Sequence, residues 1–124
     1  MIKSYRDLEV YQEGYQLVPE IYAITRQMPE SERREIGYQL RRAAVSIPAN
    51  IAEGYGRKES EAEFKHFLRT ALGSNNEVTV LLDLAHDLGY IADEIHQQLS
   101  KRYATLGRKI YTLIQRWSKQ KSKL

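Results

Sequence analysis

The stretch Gln39-Leu40-Arg41-Arg42-Ala43-Ala44-Val45-Ser46-Ile47-Pro48-Ala49-Asn50-Ile51-Ala52-Glu53-Gly54-Tyr55-Gly56-Arg57 decides the fold. Leu40, Ala43, Ile47 and Ile51 follow Ile36 at spacings of three and four, which places them on one face of an α-helix. Ser31 is a capping residue at the start of this segment, just after Pro29. Pro48 falls inside the pattern. It lacks an N–H and crowds the carbonyl of Ala44, so a kink or break is predicted there. Gly54 and Gly56 are read as the end of the helix.

The same spacing recurs on both sides. A first segment, about Asp7 to Gln27 with Asp7 as N-cap, carries two adjacent stripes. One is Leu8, Tyr11, Tyr15, Val18 and Tyr22; the other is Val10, Gly14, Leu17, Ile21, Ile24 and Met28. One stripe suffices for a core-facing helix. The second calls for another partner, and Tyr11, Tyr15 and Tyr22 suit a subunit interface where hydroxyls stay wet. A third segment, Ser60 to Leu88, opens with the capping pair Ser60 and Glu63. Its stripe runs Phe64, Phe67, Leu68, Ala71, Val78, Leu81, Leu82, Ala85 and Leu88, and it resumes in phase across Gly73-Ser74-Asn75-Asn76. A continuous helix is predicted, with Gly89 beyond its end in left-handed geometry. A fourth segment, Ala92 to Lys119, shows Ile95, Leu99, Leu106, Ile110, Leu113 and Trp117, with Tyr103 one step off the stripe.

Four helical segments, short connections and no strand-like alternation predict an all-α, antiparallel up-down-up-down four-helix bundle. The 124 residues fit one domain, 1–124. There is no Cys, which excludes disulfide scaffolds and thiol chemistry. No apolar run is long enough to span a membrane and no secretory leader opens the chain, so a cytoplasmic protein is expected. Net charge is +3, unevenly distributed: the first thirty residues and the third segment are acidic, the final quarter basic.

The string from Gln39 to Arg57 resembles the four-helix-bundle proteins encoded by intervening sequences within bacterial 23S ribosomal RNA genes. Leu8-Glu9-Val10-Tyr11-Gln12 is similar to that family's opening motif, Ala71-Leu72-Gly73-Ser74 with Glu77 to its third-helix motif, and Leu88-Gly89-Tyr90 to its last turn. Tyr11 stands where the family usually has Trp, and Asn75 where an aliphatic residue is common. The resemblance implies a left-handed bundle that assembles as a ring-shaped homopentamer, with no defined biochemical activity. A more distant similarity, to the accessory variability protein of diversity-generating retroelements, implies association with nucleic acid.

Two constellations stand out. Ser46 and Asn50 lie one turn apart beside Pro48. With Glu53 and, across the bundle, Ser74 and Glu77, they form a candidate polar cluster that fixes helix register. A small ligand site is the alternative. Arg41, Arg42, Arg57, Lys58, Arg108 and Lys109 are the candidate nucleic-acid-binding residues, which a ring would multiply. The expected partners are further copies of the chain and RNA or DNA. The alternative is a structural or protein-interaction ring, with the same residues in subunit contacts.

Enzyme readings fare poorly. Glu63-x-x-His66 and Asp83-x-x-His86 sit ~30 Å apart on one helix, too far for a shared metal site. For Asp93-x-x-His96 no matching carboxylate set is expected, and His66, His86 and His96 are read as surface residues. Phosphate loops, dinucleotide fingerprints and the Arg-to-His spacing of helical ribonucleases are absent. No catalytic residue, metal or cofactor is expected.

Overall fold

The computed structural model describes residues 1–118. A 3₁₀ turn, Tyr5–Asp7, leads into α1 (Glu9–Arg26), followed by the short α2 (Glu30–Arg34), α3 (Ile36–Tyr55), α4 (Glu61–Asp87) and α5 (Asp93–Arg116). The four long helices form an all-α bundle, and no strand occurs among the described residues. Lys119, Lys121 and Lys123 lie outside them.

Pairs of touching residues give the topology. Ser46 meets Ser74, and Gly54 meets Phe64 and Phe67, so α3 and α4 run antiparallel. Asn75 meets Tyr103 and His86 meets Asp93, so α4 and α5 do as well. Gly14 meets Ile47, and Gly37 meets Thr25, which sets α1 against α3 in the same sense. Lys109 on Glu9 and Arg102 on Glu20 close α5 onto α1.

Helix ends follow local chemistry, with two corrections. The Ser60 hydroxyl accepts from the Glu63 N–H at 3.2 Å, and Gly89 takes φ +84° beyond α4. Asp7 does not cap α1. Its carboxylate accepts instead from the Lys3 and Ser4 amides at 2.7 and 3.1 Å, closing a box with Ser4 that is read only once the 3₁₀ turn is seen. Those two amide bonds hold its carboxyl below the usual range. Likewise Ser31 lies within α2, whose N-cap is Pro29, and the chain jogs at Glu35 (φ −103°, ψ −87°) before α3 begins. The jog turns Ile36 and Gly37 inward, against the end of α1.

The helix does not break at Pro48; α3 runs through it to Tyr55. Pro48 is buried and its ring lies against Gly14, whose missing side chain leaves room for Ile47: a Cβ there would stand 3.1 Å from the Ile47 Cγ2. Gly54 does not end α3 either. It is buried one residue short of the end, and a Cβ there would stand 2.6 Å from the Phe67 Cβ. Its role is to let α3 and α4 approach.

The core holds the inner stripe of α1, the expected α3 face, and Phe64, Leu68, Ala71, Val78, Leu82 and Ala85 of α4. On α5 the buried face is Leu99, Tyr103, Leu106, Ile110, Ile114 and Trp117. Tyr103, placed off the stripe by the sequence, is fully buried at its centre, and Ile95 and Leu88 are exposed. Residues 99, 103, 106 and 110 keep the three-four rhythm, which carries Tyr103 into the core; Ile95 and Leu88 keep the same spacing but sit in the first turn of α5 and at the C-cap of α4. At one end, Phe64 packs edge-on to Trp117 at 4.7 Å and to Tyr55 at 6.1 Å; such contacts are worth about 0.5–1.5 kcal/mol beyond burial.

Asn75 is the buried polar residue of α4. Its Nδ2 donates to the Tyr103 carbonyl at 2.9 Å, and a Cβ on Gly107 would stand 2.8 Å from that nitrogen. A glycine on α5 thus makes room for a polar residue where an aliphatic one would simply pack. The Asn75 Oδ1 has no hydrogen-bond partner among the described residues.

Candidate functional site

The helix-register cluster is smaller than the sequence suggested. Ser46 Oγ and Ser74 Oγ lie 2.8 Å apart across the α3–α4 seam. Asn50 Nδ2 donates to the Ser46 carbonyl at 2.8 Å and to its hydroxyl at 2.9 Å. Glu53 is not part of this group: it pairs with Arg57 at 3.4 Å, one turn along the exposed face. Glu77 lines a depression of about 180 Å³ with Gln39, Arg42, Ser46 and Ser74 and makes no bond to the serines. Three of the five residues meet, and they do so beside the helical proline.

The basic residues divide sharply. Lys109 is enclosed by Glu9 at 2.5 Å and Glu13 at 2.6 Å, and those hydrogen bonds, Glu13 first, hold its ammonium above the ordinary lysine value. Arg57 bridges Glu53 and Glu63 at 3.4 and 3.3 Å and lies over the Phe67 ring. Lys58 sits over the Tyr55 ring at 4.5 Å, and Arg108 reaches the Thr105 hydroxyl at 3.2 Å. These two belong to opposite ends of the chain's fold order, on the turn after α3 and on α5. The six do not form one continuous set.

Arg41 and Arg42, like Lys58 and Arg108, meet no carboxylate among the described residues, but these two also share one cleft with two tyrosine rings. Arg41 lies 5.8 Å from the Tyr22 ring and donates to the Arg33 carbonyl at 3.3 Å; Arg42 lies 5.9 Å from the Tyr38 ring. With Val45 and Ser46 these four side chains line a cleft of about 330 Å³ between α1 and α3. Tyr38 was missed in the sequence, although Tyr38 and Arg42 are one helical turn apart and so share a face.

The tyrosines of α1 divide too. Tyr11 and Tyr15 line an apolar groove of about 400 Å³ with Tyr5, Val18, Val45 and Pro48. Tyr15 is 60% exposed and Val45 41%. Tyr22 is not in that groove but in the arginine cleft. Val45 borders both, so the two depressions adjoin. A second exposed apolar stripe, Val80, Leu84 and Leu88, runs along α4. Its regular four-residue spacing was legible, but Leu88 was taken into the core stripe.

The histidine reading also needs correction. His86 and His96 stack at 4.2 Å, nearly parallel, across the α4–α5 turn. His86 Nε2 lies 2.6 Å from Asp93 and His96 Nε2 2.7 Å from Asp83, so the Asp83–His86 pair does reach Asp93 and His96. The signal was the ten-residue offset between two Asp-x-x-His strings around Gly89. The cluster is a hydrogen-bonded clasp between α4 and α5. No group that can hold a metal occurs among the described residues. The hydrogen bond to Asp93, then that to Asp87, holds His86 above the ordinary histidine value. No helix among the described residues is long and apolar enough to cross a membrane.

Comparison with known proteins agrees with this picture. A solved structure, that of a Bacteroides thetaiotaomicron protein of unknown function from the S23 ribosomal protein family, superimposes with a TM-score of 0.76 at 24% identity. The match covers 85% of this chain and 97% of that one, and at this identity it speaks for the fold alone. No curated protein matches. The family model for 23S rRNA-intervening sequence proteins matches residues 6–112, most of the chain. The chain belongs to the 23S rRNA-intervening sequence protein family.

Proposed function

We propose that this chain is a non-enzymatic bundle that self-associates and binds structured RNA through its α1–α3 face. One observation carries the reading: that face combines an open apolar groove with two arginines that form no ion pair among the described residues. Burying Tyr15 and Val45 against another copy removes apolar surface at roughly 25 cal/mol per Å². A ring of more than two copies needs two different patches, and the Val80, Leu84 and Leu88 stripe of α4 supplies a second. The pentamer implied by family resemblance is the expected assembly. Five copies of the arginine pair would face a polyanion together, which raises avidity without new contacts.

The second reading is a structural or protein-interaction ring with no nucleic-acid binding. Lys109 and Arg57 favour it, because both are held by carboxylates of their own chain. Fluorescence anisotropy with a labelled hairpin RNA and a matched duplex DNA, across a salt series, separates the two. Binding that weakens steeply with salt supports phosphate contacts. No binding at low salt leaves the structural ring.

A further inference from the structure

We infer that the cleft between α1 and α3 at Tyr22, Tyr38, Arg41 and Arg42 takes an unpaired nucleotide of RNA, its base against tyrosine and its phosphate against arginine. This deepens the RNA reading and rests on it.

The chemistry of the lining selects the ligand. Two guanidinium groups, one from Arg41 and one from Arg42, bring positive charge to a space that no carboxylate lines. Phosphate is the ligand that such a pair grips by charge-assisted hydrogen bonds. The same space is lined by two aromatic rings, Tyr22 at 38% and Tyr38 at 49% exposure. Neither ring is needed to fill the core. Each already lies beside a guanidinium, so ring and cation present themselves together. Duplex phosphates alone would need only the cations; exposed aromatic faces beside arginine are what an unstacked base uses.

Size and position agree. At about 330 Å³ the cleft lies at the lower end of ligand-sized pockets. Val45 contributes an apolar wall and Ser46 a hydroxyl at its border. Beyond Arg42 the Gln39, Ser74 and Glu77 side chains line the adjoining depression, within reach of the polar edge of a base or of a ribose hydroxyl. The site is built on two helices that pack through the core, so its geometry is fixed before a ligand arrives.

The test uses the full-length protein and two labelled RNAs of equal length, one single-stranded oligoadenylate and one blunt duplex, with anisotropy read across a salt series. The expected result is roughly tenfold tighter binding of the single strand, about the worth of one stacked base. Tyr38→Leu and Tyr22→Leu should each reduce that preference while the salt slope stays as in the unsubstituted protein. Arg41→Gln and Arg42→Gln should weaken both RNAs and flatten the slope. A 2-aminopurine placed in the single strand should be quenched on binding, and less so with Tyr38→Leu. Circular dichroism and light scattering on each variant keep loss of fold apart from loss of site. Equal affinity for the two RNAs, or a single-strand preference unchanged by both tyrosine substitutions, overturns the base site and leaves the RNA reading standing. Failure to bind either RNA at low salt overturns both.

Discussion

The seams that α5 makes and the seam between α1 and α3 are built differently. Along α5, several charges are closed within the chain, although Arg108 reaches only a hydroxyl. Lys109 holds Glu9 and Glu13, Arg102 holds Glu20, and the stacked His86 and His96 hold Asp93 and Asp83. Along α1 and α3 the outer side chains include Tyr11, Tyr15, Tyr22, Tyr38, Val45, Arg41 and Arg42, and no carboxylate among the described residues pairs with these arginines. A charge matched inside its own chain serves the fold. A charge left open beside exposed aromatic surface is available to something else. The contrast underlies our proposal that the α1–α3 face meets a partner, in a bundle whose sequence carries only a small net charge.

Reversing the open charges should have the largest effect. Arg41→Glu with Arg42→Glu should lower affinity for hairpin RNA by more than ~10-fold at low salt and reduce the salt slope by about two, one for each lost phosphate contact. Lys109→Gln should leave that affinity unchanged and lower the melting temperature slightly. If the two exchange roles, the contrast between the seams fails.

Next in size is the close approach of α3 to α4. Gly54→Ala forces a Cβ to within 2.6 Å of the Phe67 Cβ unless a helix shifts. The expected cost is about 1–3 kcal/mol, read by urea denaturation. Asn50→Ala removes the bonds to Ser46 beside Pro48 and should cost about 1 kcal/mol, a fall of several degrees in melting temperature. An unchanged melting temperature would remove Asn50 from the register of the bundle.

The smallest effect concerns the histidine clasp. The folded-state pKa of His86 is raised above the ordinary value of 6.5 by its hydrogen bonds to Asp93 and Asp87. A raised histidine stabilises the fold fully below its unfolded pKa, and that contribution is lost as pH rises through the folded pKa. The melting temperature should therefore decline from about pH 6 towards pH 8. His86→Gln should flatten the decline, and a profile identical in the variant would place the clasp outside the stability of the fold.

Much of this fold was legible because apolar spacing is periodic. The inner stripe of α1, the α3 face from Ile36 to Ile51 and the uninterrupted α4 all follow from it. The misreadings have physical causes. Pro48 reads as a kink or break because it lacks an N–H and crowds the carbonyl of Ala44, yet α3 continues through it to Tyr55. Gly54 reads as a stop because backbone freedom and close approach give the same residue. Tyr103 reads as off-stripe only when the stripe is taken straight from Leu99 to Leu106; the steps 99, 103, 106 and 110 are four, three and four, and keep it on the buried face. The site was less legible still. Which arginine finds a carboxylate depends on neighbouring helices. Lys109 meets Glu9 one hundred positions away, and sequence spacing cannot tell it from Arg42.

The central claim is that the α1–α3 face is a contact surface rather than an ordinary solvated one. Multi-angle light scattering at micromolar concentration tests it most directly, on the unsubstituted chain and on Tyr15→Glu. The expected result is a mass several times 14.5 kDa, five-fold for the implied ring, falling towards 14.5 kDa in the variant while its helical circular dichroism is unchanged. A mass of 14.5 kDa for the unsubstituted chain, or an assembly that Tyr15→Glu leaves intact, would contradict it.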